Sequence, residues 1–123
     1  MNVAIPIYED IVSPRFDIAT ELLIMTSENS KIQSEKRISI QGFHPLQILK
    51  AIIEEKINVV LCGGVNGFCL RFLGCNGIDV IPGLVGEVEA IKDGYLKGGL
   101  QPGMVFWGLR RRGRRRSGGC PRF

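Results

Sequence analysis

The spacing of apolar and polar positions changes period several times along the chain, and each change marks an element. Asn2 to Ile7 is almost unbroken apolar sequence, the pattern of a strand covered on both faces, and Pro6 with the Glu9-Asp10 pair is expected to end it. Leu22 to Thr26 reads as a second strand. After the polar turn Glu28-Asn29-Ser30, Lys31 to Ser39 resumes with Ile32, Ile38 and Ile40 on one parity, which predicts a hairpin with a charged outer face. The period then lengthens. Gly42-Phe43-His44-Pro45 leads into Leu46, Leu49, Ile52 and Ile53 at helical spacing, with proline tolerated at the first helical position, and this helix is expected to end near Lys56. Val59-Val60-Leu61 is too short and too β-branched for a helix, so it predicts a buried strand emptying into the turn Gly63-Gly64-Val65-Asn66-Gly67. A helix over Phe68 to Asn76 closes on Asn76-Gly77, and Asp79 to Ile81 is a short strand. Val88, Ile91 and Tyr95 stripe a last helix from about Val85 to Lys97.

This order, β-β-β-α-β-α-β-α, predicts a three-layer α/β/α fold built on a mixed five-stranded sheet with the first strand at its centre. Right-handed crossovers bring the loops Tyr8 to Phe16, Phe43-His44, Cys62 to Gly67 and Pro82 to Gly86 to one edge of that sheet. Ser13-Pro14 makes the first of them an ordered loop. A strand, a glycine turn and a helix start at such an edge favour an anion, because the first amides of a helix lack intrahelical acceptors.

At 123 residues and 45% hydrophobic the chain suits one domain. No run reaches the roughly 18 to 20 apolar residues of a membrane span and no leader pattern is visible, so a cytoplasmic protein is expected. Cys62, Cys69, Cys75 and Cys120 have no framework spacing, which suits reduced thiols. Charge divides the chain sharply. Residues 1–101 carry nine Lys/Arg and all twelve Asp/Glu, whereas residues 102–123 carry seven Arg and no acid. Arg110, Arg111, Arg112, Arg114, Arg115 and Arg116 repel one another and bury nothing, so the expected organisation is a domain over residues 1–100 and a basic, disordered tail over 101–123. Such a run either stays solvated or binds nucleic acid or another polyanion by releasing counterions.

Catalysis finds little footing in the residues. The glycine turn matches neither Gly-x-Gly-x-x-Gly nor a phosphate loop, the first strand Val3-Ala4-Ile5-Pro6-Ile7 offers no carboxylate for a nuclease metal, and no Ser/His/Asp set surrounds the turn. Cys62 and Cys69 flank the turn and His44, the sole histidine, is expected at the same edge, so these three are the candidate metal ligands. Cys75 lies about 9 Å beyond Cys69 along the helix. Each cysteine taken singly is more often a packing residue.

Five motifs in order give the chain a resemblance. Val3-Ala4-Ile5-Pro6-Ile7, Val12-Ser13-Pro14-Arg15-Phe16, Val59 to Gly67, Asn76-Gly77-Ile78-Asp79-Val80, and Gly86 to Ile91 with Tyr95 to Leu100 together resemble the dinitrogenase iron-molybdenum cofactor biosynthesis family. Arg15 and Asp17 stand where that family commonly has histidine and glycine. The resemblance covers residues 1 to about 100. It implies a ribonuclease-H-like fold without nuclease activity, non-enzymatic carriage of an anionic metal-sulfur cluster such as the iron-molybdenum cofactor or a precursor, and partners among cluster-assembly or recipient proteins. With the edge geometry, it points to Ser13, Phe16, Cys62, Gly63, Gly64, Asn66 and Gly67 as cofactor-binding residues. The alternative is an adaptor that binds nucleic acid or an acidic partner through the arginines.

Overall fold

The computed structural model describes residues 1–29 and 31–98, Gly103, and the backbone of Val105–Phe106. Strand β1 (Asn2–Tyr8) is central, antiparallel to β3 (Glu21–Glu28) on one side and parallel to β5 (Val59–Leu61) on the other. Outside these lie β4 (Lys31–Ser39), antiparallel to β3, and β6 (Asp79–Ile81), parallel to β5. The sheet order is therefore β4-β3-β1-β5-β6. A sixth strand, β2 (Ile11–Val12), folds back antiparallel on the end of β1, where sequence predicted only loop. Glu9, at φ 60°, makes the turn between them.

Pro6 does not end β1, and the pairing explains why. The carbonyls of Met1 and Ile7 accept from the β3 side, so odd residues of β1 bond that neighbour, while Pro6 faces the β5 side. Pairing with β5 covers only Val3 and Ala4. The missing N–H of Pro6 thus breaks no rung with β3, and its carbonyl accepts from Ser13 N–H at 2.9 Å.

Alternation along β1 and β3 makes two cores. Val3, Ile5, Ile7, Leu23 and Met25 meet Val88 and Ile91 of α3 (Val88–Leu96), and Ala4, Leu22, Ile24 and Val60 meet α1 (Pro45–Glu54) and α2 (Gly67–Cys75). The result is three layers. The expected parity of Ile32, Ile38 and Ile40 fails in one place: pairing passes from Thr26↔Ser34 to Ser27↔Ile32, so Gln33 is an extra residue and the register shifts. That bulge turns Ile32 onto the α3 face while Ile38 packs with α1 and α2. The last helix also starts later than predicted, because Val85–Gly86 form a strand, β7, paired in parallel with Val105–Phe106, β8. The stretch after residue 100 therefore includes a strand; the arginine run lies outside the described residues. Among the described residues no helix is long and apolar enough to cross a membrane.

Lys92 on α3 fastens that helix to the hairpin. Its side chain, 10% exposed, reaches Glu35 on β4 at 2.8 Å and Glu89 at 3.2 Å. Burial alone would lower its pKa, but the hydrogen bonds and charges of the two carboxylates outweigh burial and hold it above the ordinary 10.5. A raised pKa means that the contribution is complete below the unfolded value and is lost as pH climbs through the folded one. Lys92→Met should therefore lower stability by roughly 1–2 kcal/mol near neutral pH. Denaturant midpoints of the two proteins should converge well above pH 10.5.

Candidate functional site

The four edge loops meet. Ser13–Phe16 runs beside the turn that follows β5: Gly64 N–H donates to the Pro14 carbonyl at 2.8 Å, and Phe16 N–H donates to the Gly64 carbonyl at 2.7 Å. A Cβ on Gly63 would overlap the Ser13 carbonyl oxygen, and one on Gly64 would stand 2.9 Å from that of Pro14. Close approach, not an unusual φ, is what demands glycine here. From the other side Gly83 N–H donates to the Gly63 carbonyl at 2.9 Å and Leu84 N–H to that of Cys62 at 3.0 Å. Buried Ser13 completes the clasp by donating its hydroxyl to the Arg15 carbonyl.

Between this clasp and the start of α1 opens a cavity of about 290 Å³, lined by Arg15, Phe16, Asp17, Pro45, Gly64, Val65 and Asn66. Helix α2 begins at its rim. The Asn66 side chain caps that helix by accepting from Cys69 N–H at 2.8 Å, and the Gly67 and Phe68 amides at the helix start have no intrahelical acceptor. Arg15 pairs with Asp17 at 2.8 Å, but its side chain is 68% exposed, so the guanidinium remains hydrated and able to contact an anion.

The expected binding residues separate into lining and frame. Phe16, Gly64 and Asn66 line the cavity, exposed Gly67 follows at its rim, and buried Ser13 and Gly63 hold the wall from behind. Cys62 and Cys69 are 0% and 1% exposed, both within the core shared with α1 and α2. Cys62 follows Val60 on the core-facing parity of β5, and Cys69 shares the buried stripe of Leu73. Burial, with neighbouring Cys69 adding to it, pushes the Cys62 thiol up to about 12. Burial raises Cys69 as well, against a hydrogen bond with Asn66 that lowers it. Exposed His44 is the N-cap of α1, its Nδ1 accepting from Leu46 N–H at 3.0 Å while Gln47 Oε1 accepts from His44 N–H at 2.7 Å. Among the described residues no three of His, Cys, Asp or Glu gather to hold a metal ion. Spacing brought His44, Cys62 and Cys69 to one edge, but side-chain direction does not assemble them into a metal site. Arg15, Asp17, Pro45 and Val65 were missed as lining. The signal was their place in the edge loops or directly after them, with Arg15 the one Lys or Arg there.

No family model and no curated protein matches the sequence. Solved structures do. PH0822 superposes with a TM-score of 0.77 at 20% identity, over 83% of this chain and 94% of that one. The fold is shared. A candidate dinitrogenase from Methanocaldococcus jannaschii gives 0.69 at 21% identity, over 82% and 92% of the two chains. The apo form of the orange protein from Desulfovibrio gigas gives 0.66 at 18% identity, over 80% and 88%. At these identities the likeness is one of fold.

Two measurements check the site's construction. Gly63→Ala should cost about 2–3 kcal/mol in denaturant unfolding, since backbone rather than a flexible side chain must give way. A thiol-alkylating reagent applied to the folded protein should modify exposed Cys75 and spare Cys62 and Cys69 when peptides are mapped by mass spectrometry.

Proposed function

We propose that this chain is a non-enzymatic carrier or scaffold for an anionic metal-sulfur cluster of the iron-molybdenum type or a precursor, acting in the cytoplasm. Membership of the dinitrogenase iron-molybdenum cofactor biosynthesis family, and with it a ribonuclease-H-like description of the fold, belongs to the same reading. Fold neighbours that include a candidate dinitrogenase and a protein solved in an apo form support it. The observation that carries it is the edge cavity, which Arg15 and the α2 N-cap Asn66 both line.

Direct ligation by Cys62 and Cys69 would require two thiols to ionise inside the core, with burial opposing each. Holding an intact anion requires neither. In this reading the cargo keeps its own metal-sulfide bonds, Arg15 and the Gly67 and Phe68 amides supply charge-assisted hydrogen bonds, and Phe16 with Pro45 excludes water from one side. Hydrogen bonds are exchanged more readily than metal-thiolate bonds, which suits delivery to a recipient protein.

Tetrathiomolybdate, a simple soluble metal-sulfide anion, is a suitable probe. Equilibrium dialysis under anaerobic conditions should show the full chain retaining molybdenum, with Arg15→Glu weakening retention about tenfold. Cys69→Ala should leave it nearly unchanged. No retention by the wild-type chain, or equal retention by Arg15→Glu, would sink the reading. Loss of retention in a normally folded Cys69→Ala would return the ligand role to the thiols.

A further inference from the structure

Arg15 is the single cation of the cavity lining, and Asp17 is its single anion. The two are bonded to each other, Arg15 Nη2 donating to Asp17 Oδ2 at 2.8 Å. Backbone geometry brings them together. Arg15 is extended and sends its side chain outward, Phe16 turns into the core, and a short 3-10 helix over Phe16–Ile18 then curls the chain, with Ile18 N–H donating to the Arg15 carbonyl at 3.3 Å. Phe16 N–H on the Gly64 carbonyl fixes this curl to the clasp. The ion pair therefore belongs to the cavity wall, one residue to either side of Phe16.

The two partners are held unequally. The Arg15 side chain is 68% exposed and that of Asp17 37%, so the long arm standing in water is the one free to swing, and the short carboxylate stays. The charge of Asp17 is also felt inside the wall: burial chiefly raises the Cys69 thiol, a hydrogen bond with Asn66 opposes the rise, and Asp17 adds to it. Cys69 packs in the core just behind Asn66, which lines the cavity. With one charge of each sign the lining has no net charge. Any anion that enters must take Arg15 from a partner it already has. An exposed pair of this kind is weak, so the exchange is open at equilibrium.

Given the carrier reading above, on which this inference rests, we propose that Asp17 is a built-in competitor for the Arg15 guanidinium and sets how readily the site lets an anion go. An incoming metal-sulfide anion takes the guanidinium from Asp17. As the anion leaves, the carboxylate returns, so Arg15 is at no stage left without an anionic partner. While the cargo is bound, Asp17 faces it as a like charge. Both effects weaken retention, and both act mainly on dissociation. Asp17 is thus a positioning residue that works through Arg15, and it keeps the cargo loose enough to hand on.

Anaerobic equilibrium dialysis of tetrathiomolybdate against four full-length proteins, wild type, Asp17→Asn, Arg15→Gln and the double variant, tests the proposal. Asp17→Asn should retain the anion about fivefold more tightly, and release on rapid dilution, followed as molybdenum remaining with the protein, should slow by a similar factor. Asp17→Ser should behave alike. In the Arg15→Gln background the same substitution should gain no more than about twofold, because no guanidinium is left to compete for; a merely structural ion pair would show no such coupling. An equal gain in both backgrounds would make Asp17 a simple repulsive charge and overturn the proposal. Unchanged or weaker retention by a normally melting Asp17→Asn, with Arg15→Gln still weakened, would overturn it too and leave the carrier reading standing. No retention by any of the four proteins would count against the carrier reading itself and take the proposal with it.

Discussion

Backbone lying directly on backbone, Gly63-Gly64 against Ser13 to Phe16, is the constraint on which the edge of this protein depends. Two segments about fifty residues apart in sequence are joined there by two hydrogen bonds, in a space that admits no Cβ. Each bond contributes only about 1 kcal/mol net. Their larger effect is geometric. Arg15, held extended at φ −136° and ψ 139°, sends its side chain outward, and the next residue, Phe16, therefore turns inward to the core. One alternation thus supplies both the cation at the cavity mouth and the apolar wall behind it.

The clasp also uses groups that an isolated glycine turn would leave free. Gly64 N–H is satisfied by Pro14, which removes it from the amides open to an anion. The same strand that ends in the clasp carries Cys62 into the core, because side chains two apart on a strand share a face. A thiol there fills volume well and ionises badly. On the reading proposed above, the edge holds its cargo by charge and backbone dipoles rather than by sulfur.

β7, α3 and β8 form a small parallel crossover that returns the chain to the loop edge instead of releasing it at the far end of α3. Its consequence is electrostatic. Residues 1–101 hold more acids than bases, and the arginine run that carries the excess positive charge follows β8 in sequence. Screening confines that charge to roughly 8 Å at physiological salt, so where the run is anchored matters as much as how many arginines it holds.

Periodicity was sufficient for most of the architecture, since apolar spacing reports directly which face of an element is dry. Lys31–Ser39, Val59–Leu61 and Asp79–Ile81 are strands with the predicted boundaries, and α1 and α2 differ from prediction by a few residues at their ends. The gathering of the edge loops followed from crossover handedness alone. What escaped the sequence depended on which segment pairs with which, and in what register. The bulge at Gln33 arises from how β4 matches β3, β2 exists because the chain turns back on β1 at Glu9, β7 because the distant β8 pairs with it, and Pro6 is tolerated because β5 does not reach it. The site divides in the same way. Glycine, proline and a helix start are local features and legible as such, whereas the inward course of Cys62 and Cys69 and the exposure of Arg15 were decided when the layers packed. Sequence determines the period of an element; its register and the direction of each side chain at the edge are set by contacts that exist only in the folded chain.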